Sequence, residues 1–210
     1  MALKKWGYMS TIVATLFVII GYSTPYWLVS DLNIPKIRYY NLGLWNVCLN
    51  NFRDPLYLYD MVFNGCRYIP IEDLWFIRDQ ILEPAFFIAV QVLFTFCLIC
   101  VLIACALVIM YSMCCTPENY KMLYGISLDL LIAATFGTMA VIIFGARGDG
   151  RDWMPDPDHN YLSWSFALAV IGVYFLWVGS LLFFIEGRRT RKQEKSQQHI
   201  NYGMSTHSKV

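Results

Sequence analysis

The sequence predicts a membrane protein of mainly α class: a four-helix transmembrane bundle with a small extracellular antiparallel β-sheet. Three observations predict it. The 210 residues are 58% hydrophobic and only 15% charged, against roughly 25% charged in an ordinary soluble domain. The deficit is concentrated in four apolar runs, each long enough to cross the ~30 Å hydrocarbon core of a bilayer. The longest stretch between runs is instead rich in aromatic and β-branched residues, the composition of strands.

After a short amino-terminal segment, 1–7, the first span runs over 8–28. Lys4 and Lys5 ahead of an apolar stretch also fit a secretory leader. The stretch is too long for a leader core, however, and Tyr22-Ser23-Thr24-Pro25-Tyr26-Trp27 is a poor cleavage site. The second span, 84–111, exceeds what the bilayer needs, so it tilts or projects. The third covers 121–144 and the fourth 161–185. Helices are expected throughout, because an open strand edge in lipid leaves its backbone polar groups unpaired.

Four spans put both termini on one side of the membrane. That side carries Lys4, Lys5, Lys121 and the run Arg188, Arg189, Arg191, Lys192 and Lys195, and is net positive. The two opposite loops are net negative. Basic residues near span ends mark the cytoplasmic face, so both termini are expected in the cytoplasm.

This topology sorts the seven cysteines. Cys97, Cys100 and Cys105 lie within the second span, where helix packing accounts for them; no histidine or acidic neighbour completes a metal site. Cys114 and Cys115 fall at its cytoplasmic end, where they suit reversible palmitoylation or remain free thiols. Only Cys48 and Cys66 face the oxidising side, so a loop disulfide joins those two.

The first loop, 29–83, is long enough to fold. Arg38 to Cys48 reads as one strand, and Val62-Phe63 with Cys66 to Ile69 as a second, turning at Asn64-Gly65. The disulfide would staple the pair. Glu72 to Gln80 reads as a short amphipathic segment leading into the second span. The second loop, 145–160, contributes at most one edge strand, since Pro155 and Pro157 interrupt it. The cytoplasmic loop, 112–120, is too small for a domain. The tail, 186–210, is polar and basic and is expected to be disordered. No Asn-x-Ser/Thr acceptor occurs, so N-glycosylation is not expected.

No catalytic constellation can be assembled. The three histidines, His159, His199 and His207, are scattered, no phosphate-binding glycine loop occurs, and no enzyme activity, metal or cofactor is expected. The basic run of the tail lies beside a span, where it reads as an anchor on anionic membrane lipid rather than a nucleic-acid site. Asp129 is the one ionisable group well inside a span. Such groups are often functional; the structural reading is a carboxylate that accepts a hydrogen bond from a neighbouring helix or sits near the cytoplasmic interface. Ala133 and Gly137 in the same span form a small-xxx-small pair that permits close helix packing. The acidic Asp149, Asp152, Asp156 and Asp158 match no EF-hand spacing. Arg147-Gly148-Asp149 spells the tripeptide that integrins bind, a match short enough to arise by chance. Ser208-Lys209-Val210 fits recognition by a PDZ domain, in which Val210 would fill a pocket and its carboxylate a backbone nest.

Taken together, Trp27 at the end of span one, Gly43-Leu44-Trp45, Cys48, Cys66 and Arg78 resemble the signature of the claudin family within the wider claudin and peripheral-myelin-protein superfamily. The four spans, large first loop, juxtamembrane cysteine pair and PDZ-type end extend the resemblance over nearly the whole chain. It implies a left-handed bundle with an extracellular sheet. It further implies polymers in cis and in trans, with copies of itself or other claudin-like proteins, at lateral cell–cell junctions of the plasma membrane. Such polymers seal the paracellular space or make it selectively permeable. Arg67, beside the second cysteine, stands where residues often set charge selectivity, and implies a wall that opposes cations. The spacing from Cys48 to Cys66 is longer than is usual for vertebrate claudins and resembles the claudin-like proteins of invertebrate septate junctions. The same sheet occurs in auxiliary subunits of calcium channels and glutamate receptors, so a channel-regulating subunit in the same membrane is the alternative. A tetraspan trafficking or myelin-like adapter is a third reading. Tetraspanins fit poorly, since their large loop comes second and carries a Cys-Cys-Gly motif.

Overall fold

The computed structural model describes residues 2–31, 39–53, 62–69, 84–114, 119–148, 150, 153 and 159–207. Helix α1, Ala2–Ser23, leads into three-residue strand β1, Leu28–Ser30. Strands β2, Tyr39–Leu42, β3, Asn46–Arg53, and β4, Val62–Tyr68, follow. Helices α2, Ala85–Cys114, and α3, Tyr120–Arg147, come next. Strand β5, Asn160–Leu162, then precedes helix α4, Trp164–His207.

All four helices are long and apolar enough to cross a membrane. They form a closed ring in which α4 packs on α1 and α3, α3 on α2, and α2 on α1. The inward stripe is continuous and aromatic-rich, with Phe87, Phe94, Phe144 and Phe183 fully buried. The outward faces expose Ile12, Leu16, Val92, Leu128 and Leu181, as helix surfaces turned to lipid do.

Hydroxyls fasten the seams. Between α3 and α4, Ser127 Oγ donates to the Ser180 carbonyl at 2.8 Å, and Ser180 Oγ returns a bond to the Ser127 carbonyl at 2.9 Å. Between α1 and α4, Ser10 Oγ donates to the Phe175 carbonyl at 2.7 Å. Small residues bring backbones together. A Cβ on Gly137 would lie 2.6 Å from Val173 Cγ2 and 3.0 Å from Cys97 Sγ. Gly137 thus faces both neighbours of α3, and Ala133, one turn away, is fully buried.

The strands form one antiparallel sheet in the order β4-β3-β2-β1-β5, at the end of the bundle where α1 stops. Cys48 and Cys66 are register partners on β3 and β4 and are disulfide-bonded.

The first loop differs from the sequence-based expectation in three places. Within the stretch read as 38–48, the described residues 39–48 form not one strand but two, β2 and the start of β3, folded about Gly43-Leu44-Trp45; the Gly43 N–H donates to the Asn46 carbonyl at 2.8 Å. Asn64-Gly65 does not end a strand. It lies inside β4, where the register against β3 shifts between Leu49 and Phe52 and Gly65 takes φ +88°, a conformation that favours glycine. The sheet also recruits β1, which begins at Leu28, the residue read as the end of the first span. The second-loop edge strand is β5, displaced to the last residue of that loop and the two after it.

The tail also differs from expectation. Among the described residues, α4 continues past the fourth span to His207. Residues Arg188 to Gln198 are mostly strong helix formers, and a helix already nucleated in the membrane extends without a new nucleus. Thr190 Oγ1 donates to the Glu186 carbonyl at 3.0 Å, and the Arg188 guanidinium lies 6.0 Å from the Phe184 ring centre one turn back.

Candidate functional site

The sheet is the one folded body outside the bundle among the described residues, and its mounting begins at Trp27. Its indole is fully buried and lies edge-on to Phe94 of α2 at 5.2 Å, Phe144 of α3 at 4.9 Å and Phe166 of α4 at 5.5 Å. The edge-to-face geometry suits the ring quadrupoles. Trp27 Nε1 donates to the Gly21 carbonyl of α1 at 2.6 Å, so one side chain touches all four helices. Its backbone belongs to the sheet. The N–H donates to the Leu42 carbonyl at 2.9 Å, and the carbonyl accepts from Ser163 N–H at 3.0 Å. Trp27 therefore ties the sheet directly to the ring of helices.

The Gly43-Leu44-Trp45 turn makes the second attachment. A Cβ on Gly43 would stand 2.6 Å from both Pro25 Cα and the Thr24 carbonyl oxygen. Only a glycine lets this turn close on the segment leaving α1. Leu44 is fully buried, and its carbonyl accepts from Gln91 Nε2 of α2 at 2.7 Å. Trp45 is partly buried, 5.7 Å from the Tyr22 ring of α1 and stacked at 6.3 Å on Tyr68 of β4. Its carbonyl accepts from Ile69 N–H at 2.8 Å.

What the sheet offers outward lies chiefly on β4 and β5, its two edges. On β4, Val62, Arg67 and Tyr68 are exposed; on β5, so are Tyr161 and Leu162. Arg67 pairs in register with Val47 and follows the disulfide-bonded Cys66. A rigid sheet with aromatic, aliphatic and cationic groups on its edges can bind another protein surface, since edge strands carry backbone groups that neighbouring chains can pair.

Other expected site residues stand apart. Cys114 ends α2, and Arg78, Cys115, Ser208, Lys209 and Val210 lie outside the described residues, as do Glu72 to Gln80 and the acidic Asp149, Asp152, Asp156 and Asp158. Among the described residues no group of three or more metal-ligating side chains occurs. Asp129 is partly buried, and its Oδ2 has no hydrogen-bond partner among the described residues. The bond expected from a neighbouring helix is not made to that atom.

Two contributors escape a reading of the sequence by motif. Gln91 is a buried amide in a span whose other residues are almost all apolar, and that setting was its only signal. The Thr24 and Ser165 hydroxyls meet at 2.7 Å where α1 and α4 reach the sheet, and neither stands out in sequence.

Four apolar helices carrying a small antiparallel sheet are what the resemblance implied, and the Trp and the Gly-Leu-Trp turn are what bolt the two together. A family model described as PMP-22/EMP/MP20/Claudin tight junction matches residues 12–185. This chain belongs to that family. The match takes in all five strands, the whole of α2 and α3, and most of the apolar part of α1 and α4. A search of curated proteins found no match. Within the claudin frame, Trp27, Gly43, Leu44, Trp45 and the Cys48–Cys66 bridge have evident structural roles: they make the sheet and fix it to the bundle.

Proposed function

We propose that this claudin-family chain is a cell–cell junction protein that polymerises through its sheet to form a paracellular barrier or a selective paracellular channel. The observation that carries the reading is the mounting of the sheet. Trp27 contacts every helix, and Gly43 abuts the end of α1. A binding surface held this firmly loses little conformational freedom on association, which favours repeated weak contacts between copies.

In this reading the sheet is extracellular and both termini are cytoplasmic, in accord with the basic residues on the end of the bundle away from the sheet. Copies associate side by side in one membrane and head to head across the gap, with themselves or with other claudin-like proteins. The wide spacing of Cys48 and Cys66 favours an invertebrate septate-junction setting. Arg67 supplies positive charge beside the disulfide and opposes cations. Ser208, Lys209 and Val210 engage a PDZ scaffold, and Cys114 and Cys115 take palmitate.

The test is electrical. Expression in an epithelial layer depleted of its own barrier proteins is expected to raise transepithelial resistance or change its ion preference. A layer with unchanged resistance and selectivity, in cells where the chain alters the current of a co-expressed channel, would favour the auxiliary-subunit reading.

A further inference from the structure

The far end of α4 carries a feature that lies at the other end of the bundle from the sheet. Leu181, Phe184 and Ile185 line a shallow groove that continues directly into Arg188, Arg189 and Lys192. These positions recur at three- and four-residue steps, so they share one face of the helix. The opposite face is the one that meets the bundle. Phe183 is fully buried, Thr190 is nearly so, and a Cβ on Gly187 would lie 3.4 Å from the Tyr124 ring of α3. The groove therefore looks mostly away from the protein: Leu181 and Phe184 are exposed along it, with the Phe184 ring also 5.7 Å from Tyr124 at its edge. Glu194 falls on another face by the same helical spacing, and Glu186, three residues before Arg189, stands at the edge of this one.

Along this face the chemistry changes abruptly from hydrocarbon to cation. Leu181 is exposed apolar surface within the span. About two to three turns further on stand two guanidinium groups and an ammonium. The Arg188 guanidinium rests at 6.0 Å over the Phe184 ring, which places a forked donor at the boundary between the two zones. Because α4 stays helical through His207, the three cations are held in a row along one rigid face. A lipid matches both zones: acyl chain against Leu181, Phe184 and Ile185, phosphorylated headgroup against Arg188, Arg189 and Lys192. Guanidinium forks suit phosphate oxygens geometrically.

We infer that this face of α4 is a binding site for a membrane lipid with a polyanionic, phosphomonoester-bearing headgroup. The charge complementarity is stronger for such a headgroup than for a singly charged one. Tethering a polymer-forming protein to such a lipid would let the composition of the leaflet control where the polymer assembles. The site itself does not depend on the proposed barrier role.

The test uses the full chain in nanodiscs of phosphatidylcholine containing a few per cent of headgroup-labelled phosphatidylinositol bisphosphate, with energy transfer from a dye on the protein as the signal. Two variants are compared with the natural chain. One carries Arg188→Gln, Arg189→Gln and Lys192→Gln. The other adds Gln193→Lys, Gln197→Lys and Gln198→Lys, which restores the net charge on other faces of the helix. Both variants are expected to lose at least about tenfold in lipid enrichment, while phosphatidylserine at matched total charge enriches less than the bisphosphate. Retained enrichment in the charge-relocated variant would overturn the site, since any basic segment would then serve. So would equal enrichment of phosphatidylserine, or full displacement by millimolar inorganic phosphate. The nanodisc has no cell border, so this result stands or falls separately from the barrier reading.

Discussion

Gly43 shows how much one missing side chain does. Two backbone atoms, Pro25 Cα and the Thr24 carbonyl oxygen, occupy the space that a Cβ would need. Backbone cannot rotate out of the way as a side chain can, so Gly43→Ala is expected to push the turn off the end of α1 and cost about 1–3 kcal/mol. The measurement is thermal unfolding of the purified protein in detergent. A midpoint equal to that of the natural chain would show that the turn has slack the structure does not reveal. Arg67 is the contrasting case. It is exposed on β4, so Arg67→Glu is expected to leave stability within about 0.5 kcal/mol. If Arg67 lines the paracellular path, the same exchange shifts the dilution potential of an expressing epithelial layer toward cations. An unchanged dilution potential would remove Arg67 from that path. Both residues were visible in the sequence, Gly43 by its motif and Arg67 by its place after Cys66. Gln91 and the Thr24–Ser165 contact were not, because lone polar groups in apolar spans carry no pattern until the helices are assembled.

Among elements, the four helices were legible because hydropathy over about 20 residues is a strong signal. Their ends were less so. The first span reads as reaching residue 28, but α1 stops at Ser23 and Leu28 begins β1. Three-residue strands such as β1 and β5 have no periodicity of their own; their partners create them. The run 38–48 reads as one strand because its aromatic and β-branched composition hides the turn at Gly43. Disorder beyond 186 followed from polarity alone, and helix continuity from the span overrides it. The pairing of β3 with β4 rests on Cys48–Cys66 and adjoining register partners, near the end of a sheet with β4 as its edge. Closing a loop of this separation, 18 positions, is worth about 3 kcal/mol if the effect is taken as lost freedom of the unfolded chain. Cys48→Ser is accordingly expected to release β4 while the four helices persist. Hydrogen exchange is the readout: faster exchange at 62–68 with unchanged protection in α1 to α4. Equal protection of β4 in the variant would show that the strand does not need the bridge.

For the whole molecule, the ring of helices and the sheet are one structure because Trp27 belongs to both. Its indole is in the bundle core and its backbone in the sheet. The reciprocal Ser127 and Ser180 bonds and the close approach at Gly137 hold the ring shut where dry apolar packing between helices and lipid contributes little specificity. This arrangement gives a membrane-embedded base with a fixed head, and a fixed head is what self-association across a narrow gap requires. The most direct measurement mixes two populations of cells that lack junctions, one expressing the tagged chain and one not. The chain is expected to concentrate at borders where both cells express it and to stay uniform where only one does. Equal density at the two kinds of border would contradict this expectation.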